Sequence, residues 1–168
     1  MSARDSKLTA ERLREVLHYN PDTGVFTRLI NTPNFPEFGI GAIAGNDNGQ
    51  GYLVCSIKGT IHKCHRLAFV YMSGEWPTQE VDHMNGNRAD NRWANLRLVT
   101  RAVNRQNMRA ARSDNKAGLI GVAGNAGKWR AAICAGGKWH WLGNHSTPEL
   151  AHAAYLEAKR RLHEGCTI

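Results

Sequence analysis

The stretch VDHMNGNRADNRWANLRLVTRAVNRQN, residues 81–107, constrains this chain more than any other part of it. Two short apolar runs, Val81–His83 and Leu96–Val99, read as strands, and the turn-rich Met84-Asn85-Gly86-Asn87 opens a polar loop between them. Thr100 stands where a helix cap belongs, ahead of a basic helix running to about Arg109. Strand, loop, strand and helix are completed in under thirty residues. So short a unit can bring Asp82 and His83, Asn95 twelve residues after His83, and Asn104 nine residues further to one point. Asp82 and Asn104 offer hard oxygen ligands, which suit Mg2+ or Mn2+ better than zinc. His83, with an ordinary pKa of about 6.5, can be neutral at pH 7 and accept a proton from water. A positioned base, a hard cation and a basic surround are what phosphodiester hydrolysis requires. The same residues admit a plainer reading, since an Asp-His pair beside a turn can cap it and loop asparagines make Asx-turns.

The basic surround is local. The 168 residues carry 22 Lys and Arg against 14 Asp and Glu, a net charge of +8 at pH 7, with a pI near 9.7. Residues 1–80 are neutral overall, with eight charges of each sign, whereas residues 81–117 carry eight basic and three acidic side chains and residues 118–168 six and three. An excess concentrated this way implies a footprint for a polyanion. On the helix from Thr100, Arg101, Arg105, Arg109 and Arg112 form one basic stripe, which phosphate contact explains better than solubility alone. With 42% hydrophobic and 21% charged residues the chain is expected to be globular. No apolar run approaches the roughly 18 residues of a membrane span, and MSARDSKLTAERL lacks the core of a secretory signal, so a cytoplasmic protein is expected. Cys55, Cys64, Cys134 and Cys166 form no CxxC pair. Cys55, His62, Cys64 and His65 make a zinc set only on paper, and small buried thiols in a hairpin are expected instead, with no structural zinc.

Along the rest of the chain, Thr9 caps a helix with Leu13, Val16 and Leu17 on one face, ended by the turn Asn20–Gly24. Residues 31–51, with Pro33 and Pro36, read as a long loop; Tyr52–Ile57 and Thr60–His65 as a hairpin; Leu67–Met72 as a short buried helix stopped by Gly74. After a linker at 111–117, Gly118–Ala123, Lys128–Cys134 and Lys138–Leu142 alternate as three strands, with turns at Gly124–Gly127 and Ala135–Gly137. Ser146-Thr147-Pro148-Glu149 opens a helix whose stripe is Ala151, Ala154, Tyr155, Ala158 and Leu162, ended by Gly165.

Residues 82–104 resemble the catalytic core of the HNH endonucleases, the ββα-metal fold, and especially its phage and homing-type branch. The pattern D-H-x-[ND]-G-[ND]-x-x-[DN]-N-x-x-x-N-L-R-x-V-T-x-x-x-N is met from Asp82 to Asn104, and LTAERLREVLHYNPDTGVFTRL, GYLVCSIKGTIHKCHRLAF and GEWP extend the likeness upstream. The resemblance implies Asp82 and Asn104 as metal ligands, His83 as general base, and Asn95 as the residue that fastens the loop and orients His83. It implies a metal bridging the scissile phosphate and the leaving 3′ oxygen, and 5′-phosphate and 3′-hydroxyl products. GLIGV, GKWRAAI, WLG and STPELAHAAYLEAKRRLHEG resemble the ethylene-response-factor (apetala-type) DNA-binding domain, whose sheet lies in the major groove. Strand alternation then turns Trp129, Ala131 and Ile133 toward the helix and Lys128, Arg130, Trp139 and Trp141 toward DNA.

The expectation is an α+β protein: a ββα-metal nuclease core at about 81–109 within a domain 1–113 that adds an N-terminal helix and hairpin, then a domain 114–168 with a three-stranded antiparallel sheet packed on one helix. Its partner is double-stranded DNA in a bacterial or phage-infected cell, contacted by Arg88, Arg92, Arg97, Arg101 and Arg105 as well as the C-terminal face. Its cofactor is Mg2+ or Mn2+; a monomer would nick and a dimer could cut both strands. A chain ending near Ala117 is expected to keep the whole catalytic constellation. The rival is a DNA-binding regulator that keeps both folds without cutting.

Overall fold

The computed structural model describes residues 8–31, 38–125 and 127–167. Pro33 and Pro36 of the expected loop and Ala126 of the expected turn lie outside the described residues. The chain is a mixed α+β protein of small antiparallel sheets and, among the described residues, four helices. It divides into two compact units, Met1–Arg101 and Ala102–Ile168, so the division by packing comes ahead of the 113/114 boundary drawn from sequence.

In the first unit, helix α1 (Ala10–Val16) starts at Thr9, whose hydroxyl accepts the Arg12 N–H at 3.2 Å, and buries Leu13 and Val16. Leu17 continues the apolar stripe but not the helix. From there the chain is extended, and β1 (Leu17–Tyr19) pairs with β2 (Phe26–Arg28). The Asn20–Gly24 turn therefore closes a hairpin rather than ending the helix, with Asn20 Oδ1 accepting the Asp22 and Thr23 N–H groups at 2.9 and 3.1 Å. The rings of Tyr19, Phe26 and Tyr71 meet tilted or edge-on at centroid distances of 4.7, 5.7 and 6.4 Å in the core.

Within the stretch read as a long loop, Asn46–Asp47 forms β3, edge strand of a sheet completed by β4 (Leu53–Ile57) and β5 (Thr60–Lys63). The β4–β5 hairpin turns on Lys58-Gly59, both left-handed at φ +48° and +75°, as a two-residue turn with the twist of its strands demands. Helix α2 (Cys64–Ser73) begins earlier than the apolar run suggests, so His65 sits on the helix rather than on the strand. It stops at left-handed Gly74, whose N–H bonds the Val70 carbonyl. Its buried side chains, with Leu13, Phe26 and Cys55, make the core of this unit. Strand β6 (Glu80–His83) then pairs with β7 (Leu96–Val99) in the register Val81↔Leu98, Asp82↔Arg97, His83↔Leu96. Asn95 ends a short 3-10 turn, Trp93–Asn95, and does not open the strand.

Helix α3 (Arg101–Gln106) is shorter than the basic helix expected from sequence and buries none of its residues. Only Arg101 and Arg105 of the four-arginine stripe lie on it. Arg109 donates to the Thr167 carbonyl at 3.0 Å and to its hydroxyl, and Arg112 pairs with Asp114. A helix of six residues cannot hold itself in water. The C-terminal tail holds it: the Gly165 N–H donates to Gln106 Oε1 at 3.0 Å, the Thr167 hydroxyl to Asn107 Oδ1 at 2.6 Å, and Lys159 Nζ, buried in α4, to the Met108 carbonyl. Gly165 comes so close that a Cβ there would stand 2.3 Å from the Val103 carbonyl.

The rest of the second unit is a meander, β8 (Val122–Asn125), β9 (Lys128–Ala135) and β10 (Lys138–His145), crossed by helix α4 (Pro148–Leu162). The first strand starts later than Gly118 because that segment turns, although Leu119 and Ile120 still pack inside. The last strand runs past Leu142 through a bulge between Trp141 and Gly143. Thr147 caps α4, and its expected stripe faces the sheet, with Ala151, Tyr155 and Ala158 buried against Ala131 and Ile133. The helix ends at Leu162, ahead of Gly165.

Candidate active site

Neighbouring residues of a strand point to opposite faces, and at the end of β6 this separates two chemistries. Asp82 turns to its cross-strand partner: Arg97 donates through Nε and Nη2 to Asp82 Oδ2 at 3.0 and 2.8 Å, and the carboxylate is buried. His83 turns to α2 and the loop. Its Nε2 lies 3.2 Å from Asn91 Oδ1, and its ring meets that of His65 edge-on at 4.9 Å and that of Tyr52 at 6.1 Å. Burial pushes the His83 pKa below the ordinary histidine value, against the opposing pull of the Asn91 hydrogen bond and of Asp82 and Asp90. His65 is pushed to about 3, first by burial and then by His83, Lys63 and Arg66. Its buried Nδ1 has no hydrogen-bond partner among the described residues.

Asn95 fastens the loop. Its Oδ1 accepts the Asn85 N–H at 3.0 Å and its Nδ2 donates to the Asp90 carbonyl at 2.8 Å, tying both ends of the polar loop to the head of β7. A hydrogen bond joins His83 to Asn91, a residue that the sequence pattern matched without giving it work. Asn91 is held from the N-terminal hairpin: the Tyr19 hydroxyl donates to its carbonyl at 2.7 Å, and the Trp93 N–H to the Pro21 carbonyl at 2.9 Å. Gly24, at φ +74°, lets the two chains touch, since a Cβ there would lie 2.4 Å from the Arg92 nitrogen and the Asn91 carbonyl carbon. The Asp90-Asn91 pair before Trp93 was the available signal, blurred by the similar asparagines at 87 and 95.

The basic candidates differ in how their charge is engaged. Arg92 is bidentate to Asp90 at 2.8 and 2.6 Å, which holds that carboxyl down to about 2. Arg97 belongs to Asp82. Arg88 is exposed beside the Tyr52 ring, and Arg101 and Arg105 are exposed on α3. His83 and Asn91 are joined by a hydrogen bond and Asn95 ties down the same loop in the first unit, with Asp82 on the other face of β6, while Asn104, half-buried on α3, belongs to the second. There, Lys128, Arg130, Trp139 and Trp141 line the sheet face opposite α4, with the two tryptophans 76% and 60% exposed.

Among the described residues no three His, Cys, Asp or Glu side chains converge as a metal cluster. Of the residues weighed as a zinc set, the His62 ring lies on Trp76 at 5.6 Å, His65 faces His83, and burial, then Cys55, push the Cys64 thiol to about 12. Asp82 is a buried carboxylate, a hard oxygen donor of the kind a divalent cation takes, and it is already paired with Arg97. Among the described residues no helix is long and apolar enough to cross a membrane.

A family model described as HNH endonuclease matches residues 62–106, from β5 to the end of α3, and so takes in His65, Asp82, His83, Asn91, Asn95 and Asn104. At the level of that family the segment is nuclease-like. No curated protein and no solved structure matches the chain.

Proposed function

We propose that this protein is a divalent-metal-dependent DNA endonuclease of the phage or homing type, in which His83 is the general base. The observation that carries this reading is His83 itself, buried at the end of β6, kept neutral by that burial and tethered by Asn91, inside the segment that matches the nuclease family. With Nε2–H donated to Asn91 Oδ1, the ring holds its basic lone pair at Nδ1, where it takes the proton of an attacking water. Asp82 and Asn104 would hold Mg2+ or Mn2+, which supplies electrostatic stabilisation of the phosphate and the leaving oxygen. Arg97 aims the Asp82 carboxylate, and Asn95 fixes the loop that carries Asn91. Domain 114–168 serves as the docking module, laying the face of Lys128, Arg130, Trp139 and Trp141 on double-stranded DNA through phosphate contact and aromatic packing.

The test is cleavage of supercoiled plasmid with Mg2+ or Mn2+ and with EDTA. Metal-dependent nicking or linearisation is expected. His83→Ala should abolish it while binding to the same DNA persists, since no phosphate contact is lost. Binding without cleavage by the intact chain would instead favour the non-cutting regulator.

A further inference from the structure

Beside His83, two lysine and arginine charges converge on one ring. Tyr52 stands just before β4, its centroid 5.3 Å from the His65 ring and 6.1 Å from that of His83. Lys63 Nζ, at the end of β5, lies 4.4 Å from that centroid, and the Arg88 guanidinium, from the loop after β6, lies 4.8 Å from it. Arg88 is braced by donation from Nη1 to the Gln50 carbonyl at 3.1 Å. The two cations come from segments distant in sequence, and both are exposed. Neither has a carboxylate partner among the described residues, whereas the neighbouring Arg92 and Arg97 are ion-paired to Asp90 and Asp82. Attraction to an electron-rich ring face is worth roughly 0.5–1 kcal/mol at an exposed site, enough to gather two like charges in water but not to neutralise them. What the arrangement lacks is an anion.

We propose that Tyr52, Lys63 and Arg88 form a cradle for one backbone phosphate of the DNA strand, next to the phosphate presented to His83. The proposal rests on the nuclease reading and extends it to how the strand is held. Tyr52 is the spacer that fixes the distance between the two cations. It is not a platform for base stacking, because the cations already occupy its ring. The cradle places a sequence-independent grip immediately beside the base, on the hairpin and loop that frame His83.

The experiment is equilibrium binding of the full-length protein to a short DNA duplex in EDTA, where no cleavage occurs, at a series of salt concentrations. The variants are Lys63→Met, Arg88→Gln, the double variant, Tyr52→Leu and Tyr52→Phe, with thermal unfolding to show that each is folded. Each phosphate contact contributes about 0.9 to the slope of log affinity against log salt. Because Lys63 and Arg88 share one phosphate, the double variant should lose about 0.9 in slope rather than about 1.8. Tyr52→Leu should approach the double variant, and Tyr52→Phe, which keeps the ring, should match the unaltered protein. Unchanged affinity and slope in the double variant would overturn the cradle, as would additive loss of two contacts or failure of the intact chain to bind DNA. If the slopes behave as expected but the protein never cleaves with Mg2+ or Mn2+, the cradle stands and the nuclease reading falls.

Discussion

As the proposed base, His83 would act only while its ring is neutral, and the burial that lowers its pKa widens the range in which it is. The acid limb of kcat/KM should therefore be centred below pH 6.5, the value of an unperturbed histidine. A limb centred at or above 6.5 would show that burial does not govern the group. His65 makes a separate prediction about stability. Above about pH 6.5 neither folded nor unfolded chain protonates it; between about 6.5 and 3 the unfolded chain binds a proton that the folded chain refuses. Stability should fall as pH drops through that window, by about 1.4 kcal/mol per pH unit from this residue alone. His65→Phe should flatten the urea-unfolding free energy between pH 6.5 and 5 by that amount. An unaltered slope would mean that His65 titrates normally. Asp82 and His83 could be singled out from the sequence because an adjacent carboxylate and imidazole at a strand end are chemically distinctive. Asn91 could not, because four asparagines in one turn-rich loop look alike until the fold shows Asn91 held by Tyr19 and hydrogen-bonded to His83.

The N-terminal hairpin shows why an element far from the catalytic pair still belongs to the site. β1–β2 fixes the loop carrying Asn91 through the Tyr19 hydroxyl, the Pro21 carbonyl and the bare face of Gly24. Gly24→Ala should strain a left-handed position and push the loop away, costing roughly 1–3 kcal/mol in stability. It should also lower kcat more than it raises KM, since Asn91 orients the base and does not grip substrate. Wild-type kcat in a folded Gly24→Ala protein would remove the hairpin from the mechanism. The strands β4, β5 and β9 and helix α4 were legible because their alternation or 3.6-residue stripe is uninterrupted. The strand β1 was hidden because Leu17 continues the stripe of α1, and only pairing with β2 tells extended from helical chain there. The start of α2 was hidden in the same way, since His62 to His65 alternates like the strand it leaves.

Across the whole molecule, the short helix carrying Asn104 depends on the far end of the chain. Gly165, Thr167 and Lys159 hold the segment from Val103 to Arg109, which buries little of its own. A chain ending at Ala117, expected from sequence to keep the whole constellation, should instead lose metal-dependent cleavage, and raising the DNA concentration should not restore it. Loss of Lys128 and Arg130 would separately lower the salt slope of binding by about two. Full cleavage by that shortened chain at high DNA would show that the tail only supports docking. The tail also bears on how the nuclease segment could be moved to another protein. Residues 62–106 contain every residue assigned to the chemistry, yet a graft of that segment alone would arrive without the wall its last helix leans on. A transplant that is to cut would have to bring, or rebuild in its new host, a surface equivalent to Lys159, Gly165 and Thr167.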